Sequence, residues 1–256
     1  MPIVNPGTDA ARISPHTPAE ICTYLEWDSS FFDLRIARLN RSRLDEITVA
    51  ETLDWCADQR IDCLYFLADS DHAPTPVLAG KNDFHLTDIR ITCERTLAPA
   101  ESFTEDAAVR PAREEDLPAL RELASSTHHD TRFYFDQHFD RAKCAQLYST
   151  WIENSFRGFA QAVFVADAGT RPAAYLTCHL KGEEAQIGLV GVSAKHQGQG
   201  LGTKLVQQFL AWSCQHKAKR ATVVTQGRNL SAQRLYQRNA FLTASFQLWY
   251  HRWFPH

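Results

Sequence analysis

One segment, Val192-Ser193-Ala194-Lys195-His196-Gln197-Gly198-Gln199-Gly200-Leu201-Gly202, constrains what this chain can fold into more than any other. It follows an apolar run, Ile187-Gly188-Leu189-Val190-Gly191-Val192, that reads as a strand. It opens a periodic stretch, Leu201 to Trp212, that reads as a helix. A strand, a glycine-rich turn and a helix start make an anion-binding nest. Glycine has no Cβ, so the turn brings successive backbone N–H groups close to a phosphate at the positive end of the helix dipole. The turn lacks the Gly-Lys-Ser/Thr of a P-loop, and its spacing is not that of the G-x-G-x-x-G dinucleotide fingerprint.

What it matches is Gln/Arg-x-x-Gly-x-Gly, as Gln197-Gly198-Gln199-Gly200-Leu201-Gly202. A second motif follows a short apolar strand, Ala221-Thr222-Val223-Val224-Thr225. It reads Asn229-Leu230-Ser231-Ala232-Gln233-Arg234-Leu235-Tyr236-Gln237-Arg238-Asn239-Ala240-Phe241. Asn229 is a good N-cap, and Ala232 and Tyr236 fall at i, i+4 on one helix face. The two motifs in this order resemble the GNAT N-acetyltransferase superfamily, with its pyrophosphate loop and its Asn-x-x-Ala-x-x-Leu-Tyr-x-x-x-Gly-Phe helix. Ala240 departs from that pattern, standing where the family has Gly. The left-handed residue that ends the helix is therefore expected at Asn239.

The resemblance implies acetyl-CoA as cosubstrate. It places the cofactor on Leu189, Val190 and Val192 of the strand, on Gln197, Gly198, Gln199, Gly200, Leu201 and Gly202 of the turn, and on Asn229, Ala232 and Tyr236. The pantetheine arm would lie along a splayed strand whose N–H groups polarise the thioester carbonyl. Gly188 and Gly191 allow the close approach and bulge that such a strand needs. Tyr236 is expected to be the general acid to the CoA thiolate, since a phenol of pKa about 10 stays protonated at neutral pH. The general base is less defined. The strand before the turn carries no carboxylate, Glu183 and Glu184 lie in the preceding turn, and His179 stands alone in an apolar run.

A chain of 256 residues holds one large or two modest domains. A net charge of −3 gives no reason to expect nucleic acid or a membrane surface as partner. No apolar run approaches a membrane span. The start, Met1 to Pro6, lacks the basic and apolar stretches of a signal peptide, so a cytoplasmic location is expected. Seven scattered cysteines without a C-x-x-C pair read as reduced thiols. The pair His128-His129 has no partners at zinc spacing, so no metal site is expected.

Strands and helices alternate along the chain, which argues for an α/β fold with a mixed central sheet. The polar stretch Leu97 to Ala107 is the best linker, dividing an N-terminal domain, 1–100, from an acetyltransferase domain, 107–256. In the second domain the pattern gives a strand at 108–112, a helix at 113–123, an aromatic loop from Phe133 to Phe139 and a helix from Arg141 to Asn154. Strands follow at 162–166 and 173–180. In the first, Phe31 to Leu39 suggests a strand, Leu44 to Cys56 a helix, and Asp62–Ala68 and Ile89–Glu94 two further strands. Asn82-Asp83-Phe84 and the strand after it echo Asn239-Ala240-Phe241, so the first domain is expected to be an incomplete copy of the GNAT plan. Only one strand, Ala244 to Trp253, follows Phe241 where the family has two. The N-terminal half, through Ile89–Glu94, or a second subunit in a homodimer is expected to cover its edge.

A narrower resemblance lies in Trp27-Asp28-Ser29-Ser30-Phe31-Phe32, Thr131-Arg132-Phe133, Trp151-Ile152-Glu153-Asn154-Ser155-Phe156-Arg157-Gly158 and Val224-Thr225-Gln226. It is to the amino-sugar N-acetyltransferases of the superfamily. It implies an acceptor amine on a nucleotide-linked 4-amino-4,6-dideoxyhexose, of the kind used in polysaccharide biosynthesis. By this resemblance Asp88, four positions after Phe84, faces the amine and takes its proton. Arg132, Phe133, Tyr134 and Arg157 would then supply donors for a diphosphate and a stacking surface for a base. An enzyme acting on another amine (a protein N-terminus or a small metabolite), or a non-catalytic acetyl-CoA-binding module, stays open at this point.

Overall fold

The computed structural model describes residues 20–98, 103 and 106–255. The described chain forms two compact units. One holds the described residues up to Arg90 with 135–139 and 246–255; the other holds the described residues of 91–134 and 140–245. Their borders differ from the sequence division at 97–107. That stretch is only partly among the described residues, and Leu97 and Phe103 join the apolar core of the second unit.

In the first unit, β1 (Cys22–Tyr24) pairs antiparallel with β2 (Ile36–Leu39), which pairs in parallel with β3 (Cys63–Asp69). Helix α1 (Glu26–Phe32) precedes β2, and α2 (Glu46–Asp58) connects β2 to β3. Helix α3 (Pro74–Lys81) leads into β4 (His85–Thr96), and β10 (Leu242–Trp253) runs antiparallel to β3 from Gln247↔Asp69 to Trp253↔Cys63. The expected strand over Phe31 to Leu39 starts only at Ile36. Asp33 takes a left-handed conformation at φ 58° that ends α1 after Phe32. Ser29 Oγ then accepts from the Ile36 amide at 2.9 Å and fixes the return into β2. The core is Ile61, Leu64, Phe66, Leu78, Phe84 and their neighbours.

The segment 135–139 is anchored in this unit by Asp136. Its Oδ2 accepts from His251 Nδ1 at 2.7 Å and Trp253 Nε1 at 2.9 Å, and its Oδ1 from the His138 amide at 3.0 Å. Burial alone would raise this carboxyl, but the donors outweigh it and hold it well below the usual carboxylate range.

The second unit is the larger sheet. Antiparallel pairs join β5 (Val109–Pro111), β6 (Ala162–Ala168), β7 (Arg171–Lys181) and β8 (Glu184–Val192), and β8 pairs in parallel with β9 (Arg220–Gln226). The later residues of β4 lie beside β9. Helices α4 (Leu117–Thr127) and α6 (Arg141–Asn154) pack on each other, and α7 (Leu201–Gln215) packs on β6, β7 and β8. The aromatic loop expected at 133–139 begins as a short helix, α5 (Arg132–Phe135). Arg110 of β5 holds the start of α4 through Asp116 at 2.7 Å and reaches Asp167 at 2.7 Å. Leu205, Val206, Phe209 and Leu210 of α7 fill the core with Leu176, Cys178, Ile187 and Val223. Helix α8 (Leu230–Arg238) then leads into β10.

β10 lies between β3 and β4 in the strand order, with β3 pairing along Gln247 to Trp253. All seven cysteines are free thiols, and among the described residues no helix is long and apolar enough to cross a membrane.

Candidate active site

The turn after β8 has the form its glycines require. Gly198 lies at φ 76° and Gly200 at φ 82°, a region that strains any residue with a Cβ. Around both, no atom from beyond the adjoining residues lies within 4 Å of the place a Cβ would take. Gly200 is the N-cap of α7, no side chain caps that end, and no acidic residue sits in its first turn. The first N–H groups of a 15-residue helix are thus left open at its positive end. Gly202 serves a different purpose: a Cβ there would lie 3.1 Å from Leu235 Cδ2, so it sets how closely α7 approaches α8.

Beside this nest the sheet opens. Strand β8 runs to Val192 and β9 to Gln226, yet their parallel pairing covers only Glu184↔Arg220 to Ile187↔Val223. At that point β8 also bulges against β7. Leu176 faces Val190 and Cys178 faces Ile187, so Gly188 and Leu189 together oppose Thr177. The Leu189 amide donates to Thr177 Oγ1 at 2.8 Å, and the Ser193 amide donates to Ala173 O at 2.8 Å. By the alternation of an antiparallel ladder, the N–H groups of Val190 and Val192 therefore point away from β7, into the gap beside β9. Of the three backbone positions named from the sequence, Val190 and Val192 are open and Leu189 is engaged.

The glycines of β8 are also explained by what lies over them. A Cβ on Gly191 would meet Tyr175 Cε1 at 2.6 Å and Thr127 Oγ1 at 2.7 Å. One on Gly188 would meet Thr177 Oγ1 at 2.7 Å and overlap the His179 imidazole. Rings from β7 thus occupy the α4-side face of β8 where its own side chains are missing. Tyr175 Oη is bonded to His128 Nε2 at 2.6 Å, and burial holds that imidazole down to about 4 and its partner phenol above the ordinary tyrosine value. His128 was visible in the sequence only as half of a pair without zinc partners; its link to Tyr175 depends on packing that no local pattern encodes.

Past β9, Asn229 caps α8 by accepting from the Ala232 amide at 3.0 Å, as its residue type predicts. Tyr236 is 2% exposed and belongs to the α7-side core. Burial, then the neighbouring Cys93, pushes its phenol above the ordinary value, so it is held protonated. The helix does not end on a left-handed Asn239. That residue keeps φ −99°, and Ala240 itself adopts φ 60° where the family has Gly. The amide of Phe241 then reaches back to Tyr236 O at 3.0 Å.

The acceptor-side residues sit on different elements. Asp88 is 4% exposed, and its Oδ1 accepts from the Ile89 amide at 2.8 Å. Arg132 is 5% exposed with its guanidinium over the Phe133 ring at 4.3 Å. Tyr134 stands edge-on to His129, and Arg157 pairs with Glu114 at 2.8 Å on the surface. Glu183 and Glu184 are taken up by Lys219 and Arg220 at the far end of β8. Among the described residues no cluster of His, Cys, Asp and Glu could hold a metal ion.

An open helix N-terminus thus lies beside a bulged, half-unpaired strand. Residues 117–241 match the model of the acetyltransferase (GNAT) family, and the chain carries a GNAT acetyltransferase domain. It is 30% identical over 157 residues to dTDP-fucosamine acetyltransferase of Escherichia coli O6:H1, covering 60% of this chain and 66% of that protein. It is 26% identical over 143 residues to the spore coat polysaccharide biosynthesis protein SpsD of Bacillus subtilis, covering 56% of this chain and 50% of that one. The matches thus span between half and just under two thirds of these relatives. A solved GCN5-related N-acetyltransferase from Sphaerobacter thermophilus shares the fold with a TM-score of 0.65 at 11% identity, over 91% of this chain and 76% of that one.

Proposed function

We propose that the chain is an N-acetyltransferase that moves an acetyl group from acetyl-CoA to the amine of a nucleotide-linked amino-deoxysugar. The observation that carries the transferase half is the parting of β8 and β9 after Ile187 and Val223, beside the uncapped start of α7. Acetyl-CoA would supply an activated thioester. Gly198, Gly200 and the first amides of α7 would hold its diphosphate, and the Val190 and Val192 amides would line the gap for its arm. Tyr236 would give its proton to the departing thiolate, a role suited to a phenol kept neutral by burial.

The acceptor half rests on the two curated relatives, one named for dTDP-fucosamine and one for spore coat polysaccharide. Arg132, Phe133, Tyr134 and Arg157 are the residues proposed to meet the nucleotide sugar. Arg157 would exchange its surface partner Glu114 for phosphate, a small loss because exposed ion pairs contribute little. The test is thiol release from acetyl-CoA with a panel of amines, including dTDP- and UDP-linked 4-amino-deoxysugars, a peptide N-terminus and small metabolic amines. Preference for a nucleotide-linked amine supports the reading. Preference for another amine replaces the acceptor, and binding without turnover makes the domain a non-catalytic acetyl-CoA module.

A further inference from the structure

Along β7, three polar side chains share the face that looks toward α4. Tyr175 is bonded to His128, and Thr177 takes the Leu189 amide at the bulge. The third is His179, whose Nε2 is buried and has no hydrogen-bond partner. A buried polar atom without a partner carries a desolvation cost, and each such atom in a folded protein calls for a reason. A satisfied core histidine, the ordinary explanation for a lone His in an apolar run, does not describe this one.

The setting of the ring is specific. It lies across Gly188, the residue of β8 at which the ladder bulges and the gap to β9 begins. Phe159 stands edge-on to it at 5.5 Å. Phe159 closes the wide turn Ser155–Phe159, which follows α6. The residue just before that turn, Asn154, has a buried Nδ2 that also lacks a partner. Tyr236 is in the core on the α7 side of the sheet, so the acid and this imidazole belong to opposite faces.

Building on the acetyltransferase reading above, we infer that His179 is the catalytic base, and that its Nε2 receives the proton of the acceptor amine. As the amine N–C bond forms and the C–S bond breaks, one amine proton passes to His179 Nε2. The thiolate takes a proton from the Tyr236 phenol. Water removes the first and restores the second, so the amide and free CoA thiol leave a neutral enzyme. Burial lowers the imidazole to about 4, which keeps it neutral at working pH with a lone pair free when Nδ1 carries the hydrogen. It then serves the proton shed during bond formation rather than stripping a bulk ammonium ion.

The experiment compares the parent with His179→Gln, His179→Ala and Asp88→Asn in the full chain. Acetyl-CoA affinity is measured by calorimetry and turnover by thiol release with the best amine of the panel. Expected are a fall in kcat of about 100-fold for both His179 variants, unchanged acetyl-CoA affinity, and partial recovery of His179→Ala by added imidazole. Independently of activity, nitrogen NMR of histidine-labelled parent should show an unprotonated Nε2 from pH 5 to 9. Gly188→Ala covers the case of an unfolded His179 variant: its methyl displaces the ring without removing it, and kcat should fall by a similar factor. Turnover within threefold of the parent in folded His179→Gln, or a 100-fold loss confined to Asp88→Asn, overturns the assignment while the acetyltransferase reading stands. A parent that binds acetyl-CoA but acetylates no amine overturns both.

Discussion

Two stretches of this chain follow the same plan. In the first, β2, α2, β3, α3 and β4 succeed one another; in the second, β8, α7, β9, α8 and β10 do. Each opens with a parallel strand pair around a helix. Each ends with a short helix, a left-handed residue (Asp83 at φ 57°, Ala240 at φ 60°), a buried phenylalanine and a 12-residue strand. Even the closing hydrogen bonds correspond: Phe84 N to Ala79 O and Phe241 N to Tyr236 O, both at 3.0 Å.

The chemistry differs at two places. Before α2 there is no glycine nest, and Asp45 fills the helix start by accepting from the Thr48 amide at 2.7 Å. Before α7 that position is Gly200, and the amides are left open. Where the second stretch has Tyr236, the first has Ala79. A shared backbone plan thus leaves the helix start uncapped in one copy and fills it with a carboxylate in the other. The lesson is that function lies in few side chains grafted on a repeated frame.

The sharpest way to break the comparison is Tyr236→Phe. It should lower kcat by roughly 100-fold, leave acetyl-CoA affinity within twofold, and leave the fold unchanged. Steady-state kinetics with calorimetry checks it, and a kcat within a few-fold of the parent would make Tyr236 a core residue like Ala79. A smaller effect is expected at the paired turns. Ala240→Gly should raise stability by about 0.5–1 kcal/mol in denaturant unfolding, because alanine is strained at positive φ. Asp83→Gly should gain less, since aspartate tolerates that region.

The smallest effect is at Asp45. The Thr48 amide holds this carboxyl below its ordinary value. Its contribution is therefore present above the unfolded pKa of about 3.9 and is lost as pH falls through the lower folded value. Asp45→Ala should lower the melting temperature by roughly 2–4 °C at pH 7 and by less at pH 3. It should create no acetyl-CoA site, because the glycines of the nest are absent there.

Much of the second unit was legible from sequence. α6 begins and ends at the expected residues, Arg141 and Asn154. Asn229, Gly198 and Gly200 each act through local backbone chemistry, which a motif encodes directly. What was not legible depends on longer range. The run from Phe31 to Leu39 is apolar on both sides of Asp33, so nothing in its pattern marks the helix ending there. The left-handed residue falls on Ala240 because the Phe241 amide must return to Tyr236 O, a demand of position rather than of residue type. The rings of Tyr175 and His179 cross to β8 by register, which fixes Gly188 and Gly191 for a reason their own strand does not reveal.

The most direct measurement is the stoichiometry of acetyl-CoA binding by calorimetry, on the parent and on Gly200→Val. The parent should bind one acetyl-CoA per chain. In Gly200→Val, with circular dichroism unchanged, affinity should fall at least tenfold, since a β-branched residue at φ 82° is strained by about 1–3 kcal/mol and intrudes on the nest. Two sites per chain, or undiminished affinity in a folded Gly200→Val protein, would contradict it.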